Sequence, residues 1–189
     1  MRVLVIGAHH GLGAVALRRA RAAGHDAAPF EGDLFEGEAL ARAVAGQEAV
    51  ISTLGPRRDS PPDLCARGAG RIIAAMRAAG VRRLISVSGA MVAEDVRLGL
   101  IYRLIRAQVP GAILADMRRA EALVRDSGLD WTLVRPVRLT DGKGRGHWRA
   151  DPGARVGGLA RIAREDVAQA MLAALGDPAT HGQALLLQR

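Results

Sequence analysis

The stretch that most limits what this chain can become is VLVIGAHHGLGAVAL, residues 3–17. "RVLVI" (2–6) is apolar without interruption, as expected of a parallel strand covered by helices on both faces. Leu12, Val15, Ala16, Ala20 and Ala23 then fall at helical spacing, and Gly24 stands where a helix closes. Three glycines, Gly7, Gly11 and Gly13, fill the turn between the two elements. Such a turn presents unpaired backbone N–H groups and the positive end of a helix dipole at one point, which suits a diphosphate if no side chain intervenes. Gly7 permits the tight turn, Gly11 the approach of phosphate, and Gly13 the packing of helix on strand. The plainer alternative is that the glycines merely allow a turn. His9 and His10 are adjacent at the helix start and have no Cys/Asp/Glu cluster beside them, so no metal site is expected. They either line the phosphate end of a dinucleotide or face solvent.

The same alternation runs through the remaining sequence. Strands are expected at 26–30, 48–53, 83–88, 131–136 and 184–188. Helices are expected near 36–45, from Pro61–Asp63 to Gly80, over 97–107 and 114–127, and at 165–175. A Gly-rich loop occupies 142–158. The expected fold is α/β: a three-layer, doubly wound Rossmann-type parallel sheet, with residues 1–189 forming one domain.

Composition argues against other classes. The formal charge of +8 comes almost wholly from arginine, Lys143 being the sole lysine, and the arginines are scattered over several helices. With aromatics at 3% of the chain, nucleic-acid binding is not expected, and the arginine and alanine bias reads as a GC-rich, bacterial-like genome. The first apolar run is five residues, shorter than a signal peptide needs, and no stretch reaches the ~18 apolar residues of a membrane span. A cytoplasmic protein with no membrane partner is expected. The single cysteine, Cys65, sits among apolar neighbours at helical spacing and reads as a buried thiol.

Several blocks carry a resemblance: GDLFEGEALARAVAGQEAVISTLG (32–55), VRRLISVSGAMV (81–92), RRAEALVRDSGLDWTLVRPVRLTDGKGRGHWR (118–149) and ARIAREDVAQAML (160–172). Over nearly its whole length the chain resembles the atypical NAD(P)-binding branch of the short-chain dehydrogenases/reductases, which includes flavin reductase/biliverdin-IXβ reductase-like proteins. The glycine pattern G-x-x-x-G-x-G departs from that branch, since His10 stands at its usual middle glycine. The resemblance implies that Asp33 and Leu34 flank the adenine, and that Thr53, Leu54, Gly55 and Pro56 pass beside ribose and diphosphate. It implies further that Ser86 to Ser88 lie near the nicotinamide, with Arg135, Pro136, Val137 and Arg138 closing over it. Ser86 and Ser88 also read as ordinary strand-end hydroxyls. Trp131 reads as core, and Asp166 as a residue capping or entering the last helix.

The coenzyme expected is NAD(P)(H), with NADP slightly favoured by the family. Glu31, 18 residues beyond Gly13, stands where a carboxylate would instead bond a free ribose 2′-hydroxyl. His10, Arg18 and Arg57 are the cations available to a 2′-phosphate. Carbonyl-reducing relatives use a Tyr-x-x-x-Lys pair as proton donor. Here Tyr102 is followed four residues later by Arg106 and preceded by Ser88 at 14 residues, so Ser88 and Tyr102 are the catalytic candidates. The longer match around SGLDW instead puts the tyrosine position at Ile113 and the lysine position at Met117, which leaves Tyr102 an ordinary helix residue. Without that pair, the expected substrate is a small-molecule acceptor that is flavin-like, quinone-like or otherwise conjugated. The loop 142–158, with His147, Trp148 and Arg149, reads either as a cover for such an acceptor or as a surface loop. The other reading is a non-catalytic NAD(P)-binding sensor or regulatory protein. Monomer and homodimer both stay open.

Overall fold

The computed structural model describes residues 1–56, 60–150 and 155–189. In chain order the elements are β1 (Arg2–Ile6), α1 (Gly11–Ala22), β2 (Asp26–Pro29), α2 (Gly37–Val44), β3 (Ala49–Ser52), α3 (Leu64–Ala79), β4 (Arg83–Val87), β5 (Arg97–Leu98), α4 (Leu100–Ala107), α5 (Gly111–Arg125), β6 (Asp130–Pro136), β7 (Arg138–Thr140), β8 (Arg149–Ala150), β9 (Arg155–Val156), β10 (Arg161–Ala163), α6 (Arg164–Leu175) and β11 (Gln183–Gln188). The main sheet runs β2-β1-β3-β4-β6-β11-β8. All its pairings are parallel except the last, where β8 lies antiparallel to the end of β11. The expected doubly wound Rossmann-type sheet is the fold.

The uninterrupted apolar strands follow from burial on both faces. Val3 and Val5 of β1 enter one core with Ala16 and Ala20 of α1 and Val167 and Met171 of α6. Leu4 and Ile6 enter the other, with Leu40 of α2 and Ile72 and Met76 of α3. Ile85 and Val134 join the first, Leu84 and Leu133 the second, so successive residues of each strand face opposite layers. Each fully buried leucine or isoleucine contributes about 2 kcal/mol by leaving water. The chain goes from β1 to β2 on one side and returns to β3 on the other. The crevice at the carboxyl ends of β1 and β3 is therefore the place where an open α/β sheet takes a ligand.

Three local expectations need correction. The helix expected from residue 97 starts at Leu100, because Arg97 and Leu98 pair with Arg155 and Val156, and the Gly99 N–H donates to the Val156 carbonyl at 2.9 Å. Helix α5 starts at Gly111, earlier than 114, directly after Pro110, whose φ of −51° already suits a helix start. The stretch 142–158 carries β8 and β9 rather than being irregular throughout, and Trp148 packs against the α1/α6 core. Among the described residues no helix is long and apolar enough to cross a membrane.

Candidate functional site

At the end of β1 the backbone turns through Gly7, with φ at +82°, a conformation that side chains other than glycine's seldom tolerate. A Cβ there would meet Thr53 Oγ1 at 2.7 Å. Gly13, one turn into α1, lies against the same point: a Cβ would sit 2.0 Å from the Gly7 carbonyl oxygen and 2.6 Å from Thr53 Oγ1. Helix and strand touch here backbone to backbone, which is why the third glycine is obligatory. Thr53, at the end of β3, ties the two strand ends together, its hydroxyl donating to the carbonyls of Ile6 at 2.9 Å and Gly7 at 3.3 Å. His10 is the N-cap of α1, with extended backbone and no side-chain cap bond, and no acidic residue occupies the first turn. The first N–H groups of α1 thus face the crevice without a side-chain acceptor, in a positive field.

The crevice is an open cleft of about 760 Å³, large enough for much of a dinucleotide. Its near end is polar: Gly7, His9, His10, Gly11 and Thr53, joined by Arg164 from the first residue of α6. Its far end is mostly apolar, with Leu54, Leu64, Val87, Met117 and Leu139 around Ser88. No carboxylate lines it among the described residues. The residues present therefore fit a nicotinamide dinucleotide. Bare amides and a cation would hold its diphosphate, and an apolar end would hold its flat ring.

Behind Ser88 lies a small cavity of about 20 Å³, which Ser88 shares with Ser52, Ser86, Met117 and Glu121. The Ser88 Oγ is buried on this cavity beside Glu121, where its hydroxyl favours the charged carboxylate. Glu121, 3% exposed, is gripped by both edges of the Arg135 guanidinium, Nε to Oε1 at 2.8 Å and Nη2 to Oε2 at 2.6 Å. Arg135 also donates to Asp95 at 2.7 Å. Burial alone would push the Glu121 carboxyl up, but the bonds and charge of Arg135 outweigh it and hold the group below the usual carboxylate range.

Of the residues anticipated from the sequence, the structure brings Gly7, His9, His10, Gly11, Leu12, Thr53, Leu54, Gly55, Pro56 and Ser88 to the cleft wall. Gly13 lies beneath the turn. Glu31 and Asp33 are exposed beyond the end of β2, where the Asp33 carboxylate accepts the Phe35 N–H at 2.8 Å; Leu34 is turned into the α2/α3 core. Arg57 lies outside the described residues.

Several placements correct the expectation. The segment Arg135 to Arg138 does not close over the cleft. Arg135 is spent on Glu121, Pro136 is buried at the end of β6, Val137 is in the core, Arg138 is exposed, and the residue that reaches the wall is Leu139. Ser86 faces the small cavity rather than the cleft. Tyr102 is packed in the α1/α6 core at 5% exposure, and burial raises its pKa, the wrong direction for a proton donor. His147, Trp148 and Arg149 do not line the cleft. Asp166 stands in the first turn of α6, as expected, and its carboxylate accepts the N–H groups of Arg145 and Gly146 and so anchors the Gly-rich loop. Cys65 is buried as expected, its thiol pushed up to about 12 by burial and by Asp116. Leu64, Leu139 and Arg164 are wall residues that the sequence reading missed. The signal for Arg164 was present in RIARED, where an arginine opens a helix that packs beside α1.

Comparison with known proteins agrees with this geometry. Residues 7–178 match the family described as NAD(P)H-binding. A UPF0659 protein of Schizosaccharomyces pombe is 32% identical over 139 residues, 67% of this chain and 52% of that protein, so the chain spans about half the length of this curated relative. A short-chain dehydrogenase/reductase of Veillonella parvula, solved in complex with NADP, superposes with a TM-score of 0.82 at 17% identity, over 100% of this chain and 94% of that one. ChuY, an anaerobilin reductase of Escherichia coli, does so with 0.79 at 22%, over 99% and 96%. At such identities the likeness establishes the fold. With the match extending over nearly its whole length, the chain belongs to the NAD(P)H-binding family.

Proposed function

We propose that the protein is an NAD(P)H-dependent reductase acting on a flavin-like, quinone-like or other conjugated small-molecule acceptor. The observation that carries this reading is the junction of β1 and α1. A Gly13 Cβ would lie 2.0 Å from the Gly7 carbonyl, so backbone alone forms the floor of a cleft sized for a dinucleotide. When bound, the coenzyme supplies a hydride to the acceptor, and the accompanying proton comes from solvent. The chain's own residues bind and orient. The turn and the α1 N-terminus hold the diphosphate, and Leu54, Val87, Met117 and Leu139 exclude water from the far end. Met117 is on that wall where carbonyl-reducing relatives are expected to keep lysine, and the Ser88 hydroxyl is buried behind the wall beside Glu121. A wall of this kind suits acceptors that need orientation more than a strong protein acid.

The coenzyme form we propose is NADPH, on the habit of the family. The exposed carboxylates Glu31 and Asp33 beyond β2 favour NADH instead, so the ratio of the two affinities decides. Calorimetry with NADPH and NADH, followed by coenzyme oxidation with FMN and a panel of small quinones, tests the reading. Binding with turnover is expected. Tight binding without turnover across the panel points to a sensor, and failure of either coenzyme to bind at millimolar concentration overturns the proposal.

A further inference from the structure

We infer that Arg164 is the side-chain clamp for the coenzyme diphosphate, held ready across the glycine turn by Asp141; the inference rests on reading that turn as a diphosphate cradle. Arg164 is the first residue of α6, and its Nε lies 3.7 Å from the point to which a Cβ on Gly11 would project. The space that the absent side chain leaves open is therefore closed, on its far side, by a guanidinium. Gly11 at the start of α1 and Arg164 at the start of α6 thus line the same end of the cleft, in reach of one bound phosphate group. A planar guanidinium with parallel N–H donors matches two phosphate oxygens at once, which a helix end alone does not.

The charge balance of the cleft needs such a group. An α-helix N-terminus provides roughly half an elementary charge, less than a diphosphate carries. Among the described residues, Arg164 is the one side chain of fixed positive charge on the cleft wall, and the other ionisable groups there are His9 and His10.

The arginine is also placed with little freedom. Its side chain is 26% exposed, and one end, Nη1, donates to Asp141 Oδ1. The next residue, Glu165, accepts from both Arg18 and Arg19 of α1, so the start of α6 is pinned to the helix whose N-terminus forms the cradle. Asp141 is itself 92% exposed, which makes its pair with Arg164 a screened one that a diphosphate can displace at small cost. Asp141 therefore orients the clamp without competing strongly for it.

The test is calorimetry of wild type, Arg164→Gln, Arg164→Lys and Asp141→Asn with NADPH, ADP and AMP at two salt concentrations, with the thermal midpoint of each variant as a check on folding. Arg164→Gln is expected to weaken NADPH and ADP by about 10- to 100-fold, as loss of a charge-assisted bond pair does, to weaken AMP much less, and to flatten the salt dependence. Arg164→Lys is expected to recover part of the loss, since it restores charge but not the fork. Asp141→Asn, which removes the charge that orients the clamp, is expected to weaken NADPH and ADP by a few-fold, less than Arg164→Gln, and unchanged binding would remove Asp141 from the clamp. Should Arg164→Gln not fold, the lysine variant decides, with a several-fold loss confined to the diphosphate ligands as the supporting result. Equal binding of NADPH by wild type and the arginine variants overturns the clamp and leaves the coenzyme reading standing, and so does an equal loss for all three ligands. A wild type that binds none of them removes the coenzyme reading itself.

Discussion

The two ends of the cleft are built from different materials. At the near end, Gly7, Gly11 and Gly13 make a floor of backbone, and Thr53 locks it through bonds to two main-chain carbonyls. At the far end the wall is side chains, Leu54, Met117 and Leu139 around Ser88, resting on the buried Glu121–Arg135 pair. Backbone geometry admits few substitutes, because only glycine fits where an added carbon would lie 2.0 Å from a carbonyl oxygen. Side-chain walls admit many, because hydrophobic groups of similar volume exchange at modest cost. The near end is therefore fixed by residue type, whereas the far end can change its residues and keep its shape.

The largest effect is expected from filling the near end. Gly13→Ala would force its Cβ against the Gly7 backbone, which cannot yield without moving β1, so a loss of about 3 kcal/mol in urea unfolding is expected, with coenzyme binding abolished. Gly70→Ala, in α3 with nothing within 4 Å of the new carbon, is the control, expected to be neutral or to stabilise by up to about 1 kcal/mol. If Gly13→Ala unfolds no more easily than Gly70→Ala, the contrast between a backbone floor and a side-chain wall is lost.

The far end is expected to break through its foundation rather than its surface. Glu121→Gln leaves Arg135 buried with Asp95 as its remaining acid, and removing one partner of such a pair costs about 3 kcal/mol. The sign with pH is set by the depressed Glu121 pKa. The pair's stabilisation is fully present above the carboxylate's ordinary value of 4.5 and is lost as pH falls through the lower folded value. Thermal midpoints measured from neutral to acid pH should therefore fall more steeply for wild type than for Glu121→Gln. Parallel curves would mean that the pair does not set the acid stability.

The same contrast explains what was legible in the sequence. The six parallel strands were readable because residues such as Leu4, Val5, Leu84 and Ile85 must be apolar on both faces, and Gly24 and Gly80, with φ of +81° and +70°, mark helix ends that only a left-handed residue closes cleanly. The near end was readable for the same reason, since its requirement falls on residue type. Arg135 was misread because a strand arginine beside a cleft and one buried against Glu121 look alike until the partner on α5 is placed 14 residues earlier in the chain. Arg97 and Leu98 were assigned to a helix because a two-residue pairing with Arg155 and Val156 leaves no periodicity. Arg164 was missed because RIARED marks an arginine opening a helix but does not show that this helix start meets the turn at residue 11.

The smallest expected effect sharpens the comparison most, because it concerns the group that chemistry would have chosen for the far end. Tyr102 is the chain's single tyrosine, yet it is 5% exposed within the α1/α6 core, away from the cleft wall, and burial raises its pKa. Tyr102→Phe keeps the ring and its packing, so a stability change below about 1 kcal/mol is expected. Coenzyme affinity and turnover with a quinone should match wild type within about twofold, since a hydroxyl in the core reaches no reacting atom. Ser88→Ala, which removes a buried hydroxyl beside Glu121 directly behind the wall, should lower turnover further than Tyr102→Phe while leaving the diphosphate grip intact. A fall of a hundredfold or more in Tyr102→Phe, the size of a lost general acid, would mean that α4 swings its tyrosine into the cleft during turnover. The far end would then be completed by motion, and the apolar wall would describe only its resting form.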